Sequence, residues 1–391
     1  MRLVIVGGGV AGPALGLAAR QLGLDAVVLE RREVADPYEG SWITVGPNGL
    51  DALDVLGVLD AVRTIGVPSR LNRMFGATGR LLGELSLGVP LDDGTVALTM
   101  KRSALAVRLQ DAACSAGAEL RLGADVVAVH EEPGRVVAVL ASGEQVTGDV
   151  LVGADGVRSR VRSFVDADAP PARYVGLTNF GGITPAEHVR ADVALESQAW
   201  HFVFGQRSFF GAHPLPDGRV VWFVNVPRPE INPAERDRTT NEEWLGVLSA
   251  LVADDAGPAA ALIPAGSLEL AGDNTYDLPH IPTWWRSRTV LVGDAVHAPS
   301  PSSGQGSAMA LEDAVVLARA IGKSGLDAMA DYENTRRDRV EKIVKAGARS
   351  SSTKTSGPIG RRVQDTMLRV IFRYAVTERS TAWITGHRLP R

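Results

Sequence analysis

The sequence predicts an α/β fold that carries an inserted, mostly antiparallel β-sheet domain and ends in C-terminal helices. Three observations support this prediction. The chain opens with a strand, a glycine turn, a helix and a second strand; turn residues recur about every ten positions between about 165 and 280; and residues 289–320 return to a strand followed by a helix. We therefore expect one α/β domain that is interrupted by a β-rich domain.

Composition and charge limit the partners that this chain can have. Its 391 residues are 45% apolar and 22% charged, the formal net charge is -4, and the pI is near 6.0. Without a general basic surface, neither nucleic acid nor an anionic membrane is an expected partner, whereas a small molecule is. Cys114 is the only cysteine, so no intramolecular disulfide can form, and we expect it to be buried on a helix. The seven histidines lack the close spacing of a metal site, so we expect no metal.

The first thirty residues have the size of one strand–helix–strand unit. Residues 3–6 form a β-branched run before three glycines, residues 10–22 read as a helix of small and apolar residues, and residues 26–29 read as a second strand. The apolar stretch after Arg2 superficially resembles a signal peptide, but glycines and Pro13 interrupt it and a strand follows. A cytoplasmic protein is therefore expected.

The glycine turn has the spacing of a phosphate-binding site. Gly7 permits a tight turn, Gly9 lets the backbone approach a pyrophosphate, and Gly12 lets helix and strand pack closely. The helix N-terminus offers free N–H groups, and Glu30, at the end of the second strand, can accept hydrogen bonds from a ribose. The residues expected to contact a dinucleotide here are Gly7, Gly9, Val10, Ala11, Gly12, Glu30 and Arg31. This motif alone leaves NAD and FAD equally favoured.

The remaining segments divide the chain further. Residues 50–62 and 103–116 have helical spacing of apolar residues, and residues 126–152 form short strands of a small β-meander. We predict a cofactor domain over residues 1–165, a substrate-binding β-sheet domain over 166–280, the second part of the cofactor domain over 281–325, and a helical region over 326–391. The amphipathic stretch 366–384 is interpreted as a helix folded over the substrate domain rather than a membrane contact.

Two later segments resemble one protein family. Residues 153–162 read Gly-Ala-Asp-Gly-Val-Arg-Ser-Arg-Val-Arg, and residues 293–306 read Gly-Asp-Ala-Val-His-Ala-Pro-Ser-Pro-Ser-Ser-Gly-Gln-Gly, with Leu-Glu-Asp-Ala at 311–314. In order and spacing, these Asp-Gly and Gly-Asp motifs, together with the glycine turn, resemble the single-component FAD-dependent aromatic hydroxylases typified by para-hydroxybenzoate hydroxylase. The resemblance runs from the first strand to about Ala320.

The resemblance implies FAD as the cofactor and assigns residues to it. It implies that Asp155, Gly156 and Arg162 act near the pyrophosphate or in nicotinamide handling, that Asp294 binds the ribityl hydroxyls, and that Arg102 contacts FAD from below. Pro301 would lie beside the isoalloxazine ring, and the loop into the next helix would present backbone N–H groups to the pyrimidine edge of the flavin. The cofactor residues implied by this loop are Pro301, Gly304, Gly306, Ser307 and Ala308.

The sequence departs from the family pattern at two places. Where many relatives have an asparagine two residues after the Gly-x-Gly, this chain has Ala308, so a side-chain amide near the flavin is missing. The loop 34–40 lacks the arginine often found there near the pyrophosphate. Both departures leave the positioning of the flavin open.

The family reaction implies transient NADPH or NADH as the reductant. Reduced FAD then adds O2 at its C4a atom, and the hydroperoxide transfers oxygen to an electron-rich substrate; because the cofactor carries this chemistry, no catalytic side chain is assigned beyond the flavin-positioning candidates Pro301, Gly306 and Ser307. We expect hydroxylation of an aromatic or polyketide-like molecule. Epoxidation, Baeyer-Villiger insertion and inactivation of an antibiotic remain open, as does an oxygen-independent FAD reductase or desaturase.

The aromatic strands of the inserted domain are expected to form the roof of the substrate pocket. Trp200, Phe202 and Phe204 alternate along one strand and so share a face. The candidate substrate contacts are Trp200, Phe202, Phe204, Phe210, His213 and Trp222, with His201 and Asn225 as further polar candidates. A monomer or a homodimer is expected.

Overall fold

The computed structural model describes residues 1–38, 40–352, 369 and 378–391. The strands are β1 Arg2–Val6, β2 Asp25–Leu29, β3 Trp42–Val45, β4 Val67–Pro68, β5 Leu71–Gly76, β6 Leu81–Ser86, β7 Leu98–Lys101, β8 Glu119–Arg121, β9 Val126–Glu132, β10 Arg135–Leu140, β11 Gln145–Gly148, β12 Val150–Gly153, β13 Arg173–Thr184, β14 Ala199–Phe204, β15 Phe209–Pro214, β16 Val220–Pro227, β17 Ser267–Asp277, β18 Trp285–Arg286 and β19 Thr289–Leu291. The helices are α1 Ala11–Gln21, α2 Pro47–Val55, α3 Leu59–Arg63, α4 Arg102–Ser115, α5 Arg160–Val165, α6 Pro233–Arg238, α7 Asn241–Val252, α8 Ala259–Leu262, α9 Asp294–His297, α10 Gly306–Ser324, α11 Ala328–Ser352 and α12 Glu378–Thr385.

The first sheet brings the three sequence motifs to one edge. Its six strands run in the order β18-β19-β12-β1-β2-β8, and β1 pairs in parallel with both β2 and β12, which pairs in parallel with β19. The glycine turn follows β1, the Asp-Gly segment follows β12, and the Gly-Asp segment follows β19. Because carboxyl ends of parallel strands share an edge, all three motifs meet there, where ligands bind in open α/β sheets. The predicted α/β fold is confirmed.

The second sheet is larger and mostly antiparallel. Its seven strands run in the order β17-β13-β16-β15-β14-β5-β6, with β14 and β5 pairing in parallel. Strands β5 and β6 come from the range 1–165 that was predicted for the cofactor domain, so the substrate sheet also uses residues from before the insertion. Helices α7 and α8 cover one face of this sheet through a core that includes Trp222, Trp244 and Leu248.

Two smaller sheets complete the strand structure described here. Strands β9, β10 and β11 form the predicted β-meander, and β3, β7 and β4 form a sheet that lies against the substrate sheet through Trp42 and Val67. The contact between the β3–β7–β4 sheet and the substrate sheet holds the two main domains together beside the motif edge.

Two local features differ from what the sequence predicts. The predicted helix 50–62 is two helices, α2 and α3, because the chain turns at Gly57, whose φ is 71°. The prediction that Cys114 is buried is wrong, because it lies on the exposed side of α4. Most of the stretch 366–384, interpreted from the sequence as a covering helix, lies outside the described residues. Among the described residues, no helix is both long and apolar enough to cross a membrane.

Candidate active site

The glycine turn after β1 combines tight packing with one open position. A Cβ placed on Gly7, where φ is 115°, would lie 2.3 Å from the Ala154 carbonyl oxygen, and one on Gly12 would lie 1.9 Å from the Gly7 carbonyl oxygen. A Cβ on Gly9 would meet no atom within 4 Å. Gly7 and Gly12 therefore let the turn and α1 pack, whereas Gly9 borders open space that a phosphate can occupy.

The N-terminus of α1 presents backbone donors to that space. Val10 precedes the helix and makes no side-chain capping hydrogen bond, and Ala11 begins it. No acidic side chain lies in the first turn to compete for the N–H groups. These free donors and the positive end of the helix dipole suit a pyrophosphate.

The carboxylate of Glu30 is fixed beside the glycine turn by two backbone donors. Gly8 N donates to Oε2 at 2.6 Å, and Arg32 N donates to Oε1 at 2.9 Å. Gln110 of α4 binds the opposite side of the turn, with Nε2 donating to the Gly8 carbonyl at 2.6 Å. Glu30 keeps further lone pairs for ribose hydroxyls, while Arg31 next to it is exposed.

Asp155 has one bonded and one orphaned oxygen. Its Oδ2 accepts from the backbone N–H groups of Arg160 at 2.8 Å and Val161 at 3.2 Å, whereas Oδ1 is buried without a partner. Burial raises the pKa of this carboxyl above its usual range, although the backbone donors oppose the shift. Because this unpaired oxygen lies beside Gly7 and Gly156, a hydroxyl group of a ligand bound there could donate a hydrogen bond to it.

Arg162 is enclosed rather than available to a nicotinamide. It is 6% exposed, and its guanidinium donates to the carbonyls of Ala295 and Val157, both at 3.0 Å. The implied role in nicotinamide handling does not fit this geometry. Arg162 instead joins the Asp-Gly segment to the Gly-Asp segment.

Arg102, Asp294 and Asp273 surround the gap between the two main sheets. Asp294 is solvent-accessible yet closely surrounded by protein, as a residue on the wall of a cleft would be, and this desolvation raises the pKa of its carboxyl while His297 and Arg102 oppose the shift. Asp273 of β17 behaves in the same way, with Arg102 and Arg158 opposing the rise in its pKa. Arg102 is exposed and acts on both carboxyls. Because Arg102 acts on a carboxyl at the motif edge and on a carboxyl of β17, we infer that the cleft lies between these two parts of the fold.

The loop into α10 forms a second backbone cradle. Pro301 begins a short 3-10 turn, Gly304 adopts a left-handed conformation with φ of 62°, and Gly306 and Ser307 begin α10 without a side-chain cap. Their N–H groups are left for a ligand, as at α1. Ala308 is fully buried, and a Cβ on Gly49 of α2 would lie 3.0 Å from the Ala308 Cβ.

One face of the substrate sheet carries a continuous group of rings that turns toward the cofactor domain. Trp200 and Phe202 are stacked with centroids 5.6 Å apart, and Phe223 lies 5.9 Å from Phe202. Phe204 continues the face through Phe209, 5.0 Å away. We call Trp200, Phe202, Phe204, Phe209 and Phe223 the aromatic face; Trp200 and Phe209 are buried behind it, and Phe202, Phe204 and Phe223 are partly exposed. Phe209 and Phe223 were not among the sequence candidates.

A chain of hydrogen bonds fixes the aromatic face to the sheet of β3 and β7. Trp200 Nε1 donates to Thr44 Oγ1 at 2.9 Å, Thr44 and Thr99 are 2.8 Å apart, and Ser69 lies 2.7 Å from Thr99 and 2.9 Å from His213 Nε2. Because the Pro214 carbonyl can only accept, His213 Nδ1 carries the proton, and Nε2 accepts from Ser69. Each hydroxyl then donates toward His213.

Three sequence candidates do not border the cleft. Phe210 and Trp222 lie in the core that α7 and α8 cover, and Trp222 Nε1 donates to Thr184 at 3.0 Å. His213 is fully buried with both ring nitrogens bonded, and burial lowers its pKa to about 4. His201, a further polar candidate, accepts from Glu196 N at 2.8 Å and stacks on Phe75 on the face away from the cleft. None of these side chains is placed to touch a substrate.

Comparison with known proteins agrees with this arrangement. The chain belongs to a family of FAD-binding domains whose model matches residues 1–347. Its fold, the enzymes that it resembles and the cofactor cradle define it as an FAD-dependent oxidoreductase of the monooxygenase class, and the recognised resemblance to aromatic hydroxylases is confirmed.

Individual relatives differ in what they act on. The chain is 30% identical over 355 residues to an aurachin C monooxygenase/isomerase of Stigmatella aurantiaca, covering 88% of this chain and 87% of the relative. It is 29% identical over 341 residues to the zeaxanthin epoxidase of Solanum lycopersicum, covering 83% of this chain and 48% of that protein. It also resembles the crystal structure of Klebsiella pneumoniae HpxO with FAD and uric acid, with 26% identity, a TM-score of 0.80, and coverage of 94% of this chain and 92% of that one.

Proposed function

We propose that this chain is an NAD(P)H- and O2-dependent flavin monooxygenase that acts in the cytoplasm and hydroxylates an aromatic or polyketide-like small molecule. The observation that carries the proposal is the aromatic face. The hydrogen bond from Trp200 Nε1 to Thr44 Oγ1, 2.9 Å long, holds this face against the cofactor domain. Rings that wall a cleft beside a flavin suit a flat, apolar substrate.

The chain holds the residues that FAD needs at the motif edge. Bound there, FAD would supply electron transfer and oxygen activation, which side chains alone do not provide. The open space at Gly9, the orphaned oxygen of Asp155 and the uncapped starts of α1 and α10 fit its phosphates, hydroxyls and ring edge. The residues that we propose hold FAD are Gly7, Gly9, Val10, Ala11, Gly12, Glu30, Arg31, Arg102, Asp155, Asp294, Pro301, Gly304, Gly306, Ser307 and Ala308.

The substrate side of the chain would bind, orient and exclude water. Phe202 and Phe223 meet above Gly211, where a Cβ would lie 2.4 Å from the Phe223 ring and 2.8 Å from the Phe202 ring. This glycine lets both rings pack closely over the sheet, tilted 58° to each other, so together they offer an apolar wall to a planar substrate. We assign no proton transfer to His213, because it is neutral and fully bonded.

The test is anaerobic reduction of the purified flavoprotein by NADPH and by NADH, followed by air and 1-naphthol as an uncharged aromatic probe. We expect flavin absorbance to bleach with at least one nucleotide and to return with oxygen, and 18O from labelled O2 to enter the product. The control variant is Gly9→Ala, which should lose oxygen uptake in proportion to its loss of flavin. A protein that cannot be loaded with FAD would overturn the proposal.

The same experiment separates the alternatives that share this fold. Product structure by NMR distinguishes hydroxylation from epoxidation or Baeyer-Villiger insertion, and the zeaxanthin epoxidase relative gives epoxidation its place among the outcomes. Flavin that neither nucleotide reduces, or reduction without later uptake of oxygen in the presence of substrates, favours an oxygen-independent reductase or desaturase.

A further inference from the structure

Glu312 is a fully buried carboxylate on α10, less than two turns from Gly306. Arg336 Nη1 donates to its Oε2 at 2.6 Å, and Arg339 donates through Nε to Oε2 and through Nη2 to Oε1, both at 2.9 Å. Asn48 Nδ2 donates to Oε1 at 2.7 Å. The pKa of Glu312 lies below its usual range, because the two arginines outweigh the opposing effect of burial. Glu312 is therefore an ionised anchor inside the protein.

Asn48 connects this anchor to the start of α10. Its Nδ2 donates both to Glu312 and to Gln305 Oε1, the latter at 3.1 Å, and Gln305 immediately precedes Gly306. The orientation of the amide is fixed, because a carboxylate can only accept and Nδ2 must therefore face Glu312. Movement of Glu312 or Asn48 would therefore displace the Gln305 side chain, which is hydrogen-bonded to Asn48.

Arg339 connects the anchor to the C-terminal segment, which we define as Glu378–Arg391. Its Nη1 donates to the Trp383 carbonyl at 2.7 Å and its Nη2 to the Ile384 carbonyl at 2.9 Å. Both carbonyls belong to the last turn of α12, where a cation also complements the helix dipole. The guanidinium thus binds Glu312 with one edge and the C-terminal segment with the other.

The C-terminal segment also binds α2, the helix that carries Asn48. Leu389 N donates to Asp51 Oδ2 at 2.8 Å, and Arg391 Nη2 lies 3.3 Å from Asp51 Oδ1. Asp51 is buried and follows Asn48 by three residues, so the two side chains lie close on the helix. Contacts from the segment therefore reach Asn48 both through Arg339 and through α2.

We propose that the C-terminal segment is part of the flavin site and that Asn48 is a positioning residue for it. Through Arg339, Glu312, Asn48 and Gln305, the segment sets where the backbone N–H groups of Gly306 and Ser307 point. This link takes on the positioning that the amide missing at Ala308 does not provide. The inference rests on the proposed location of FAD at the start of α10.

The test uses substitutions that break the link and keep the charge balance. Asn48→Leu removes the amide, and Arg339→Lys keeps a cation for Glu312 but cannot bind both oxygens and both carbonyls together. Gln305→Leu breaks the last step at a residue outside the ion pairs and serves if Asn48→Leu does not fold. Arg319→Lys is the matched control, because Arg319 donates to the Pro390 carbonyl at 2.5 Å but forms no hydrogen bond or ion pair with Glu312, Asn48 or Gln305.

Dissociation constants for FAD are measured by fluorescence titration of each apoprotein, together with the visible flavin spectrum and the thermal midpoint. We expect weaker binding by about tenfold and a shifted spectrum for the three link variants, against a change below about twofold for Arg319→Lys. Wild-type affinity and spectrum in folded Asn48→Leu and Arg339→Lys would overturn the inference, as would equal weakening in Arg319→Lys. Failure of the wild type itself to bind FAD would instead overturn the proposed function.

Discussion

The guanidinium of Arg162 donates a 3.0 Å hydrogen bond to the carbonyl of Ala295, 133 residues further along the chain. This bond joins the loop after β12 to the loop after β19, so two of the three cofactor motifs are held at a fixed separation from inside the protein. Nothing in either motif alone reveals it, because the donor belongs to one and the acceptor is a backbone atom of the other.

Replacing Arg162 with methionine should lower the free energy of unfolding by about 3 kcal/mol, because buried hydrogen bonds to a charged group are lost and two carbonyls are left without a partner. Arg160→Met is the matched control: Arg160 is exposed and pairs with Asp125 at 2.8 Å, so its loss should cost less than about 1 kcal/mol. Urea unfolding of both apoproteins measures the difference. Equal costs would show that Arg162 is not the buried tie described above.

Gly9 and Gly12 should respond to alanine in opposite ways. Gly9→Ala adds a methyl group to open space, so the apoprotein should keep its thermal midpoint while FAD binding weakens by about tenfold. Gly12→Ala would place Cβ 1.9 Å from the Gly7 carbonyl oxygen, so folding itself should fail or the midpoint should drop sharply. Calorimetry and flavin titration together check this. Unchanged FAD affinity in Gly9→Ala would place the phosphates elsewhere.

The two faces of the substrate sheet should separate activity from stability. Phe202→Ala and Phe223→Ala should raise the hydrogen peroxide formed per NAD(P)H oxidised, because water reaches the flavin and the substrate is no longer held. Phe210→Ala, in the core beneath α7, should instead lower the free energy of unfolding by about 3 kcal/mol or more. Peroxide assays and urea unfolding distinguish the two. Increased uncoupling in a folded Phe210→Ala protein alone would assign the substrate to the opposite face.

His213 should make stability depend on pH in mildly acidic solution. Its pKa is about 4 in the folded protein and 6.5 as the ordinary value, so between these values the unfolded chain binds more protons. His213 therefore costs no stability above pH 6.5. As the pH falls from 6.5 toward 4, its contribution lowers the free energy of unfolding by up to about 3 kcal/mol. Thermal midpoints from pH 4 to 7 for wild type and His213→Gln measure this: the wild type should lose more. Parallel curves would contradict the lowered pKa.

Local signals in the sequence were sufficient for much of the cofactor domain. The turn at Gly7, the start of α1 and the strand before Glu30 are dictated by neighbouring residues, and the order of the motifs predicts that they share one sheet. The alternation of Trp200, Phe202 and Phe204 likewise placed three rings on one face, as the structure has them.

What the sequence did not predict depends on contacts between distant segments. Phe209 and Phe210 are neighbours on β15, so only one of them can point toward the cleft. The register of β14 against β15, which pairs Phe204 with Phe209, shows that it is Phe209. Gly182 and Gly211 mark positions where rings lie over the sheet, and they were an available signal. Among the Asn48–Glu312–Arg339 contacts, the longest joins Asn48 to Glu312, 264 positions further along the chain, so no local pattern reveals it.

The order of strands in the first sheet also determines when the cofactor edge can exist. Strand β19 pairs with β12, yet the whole of β13–β17 lies between them in the chain. A growing polypeptide can form β1, α1 and β2 early, but the edge that gathers all three motifs stays open until synthesis has passed Leu291. Long-range parallel pairing of this kind is slow to form. We therefore expect FAD to be loaded late in maturation, since the sheet edge that would hold it is completed only after most of the chain has been made.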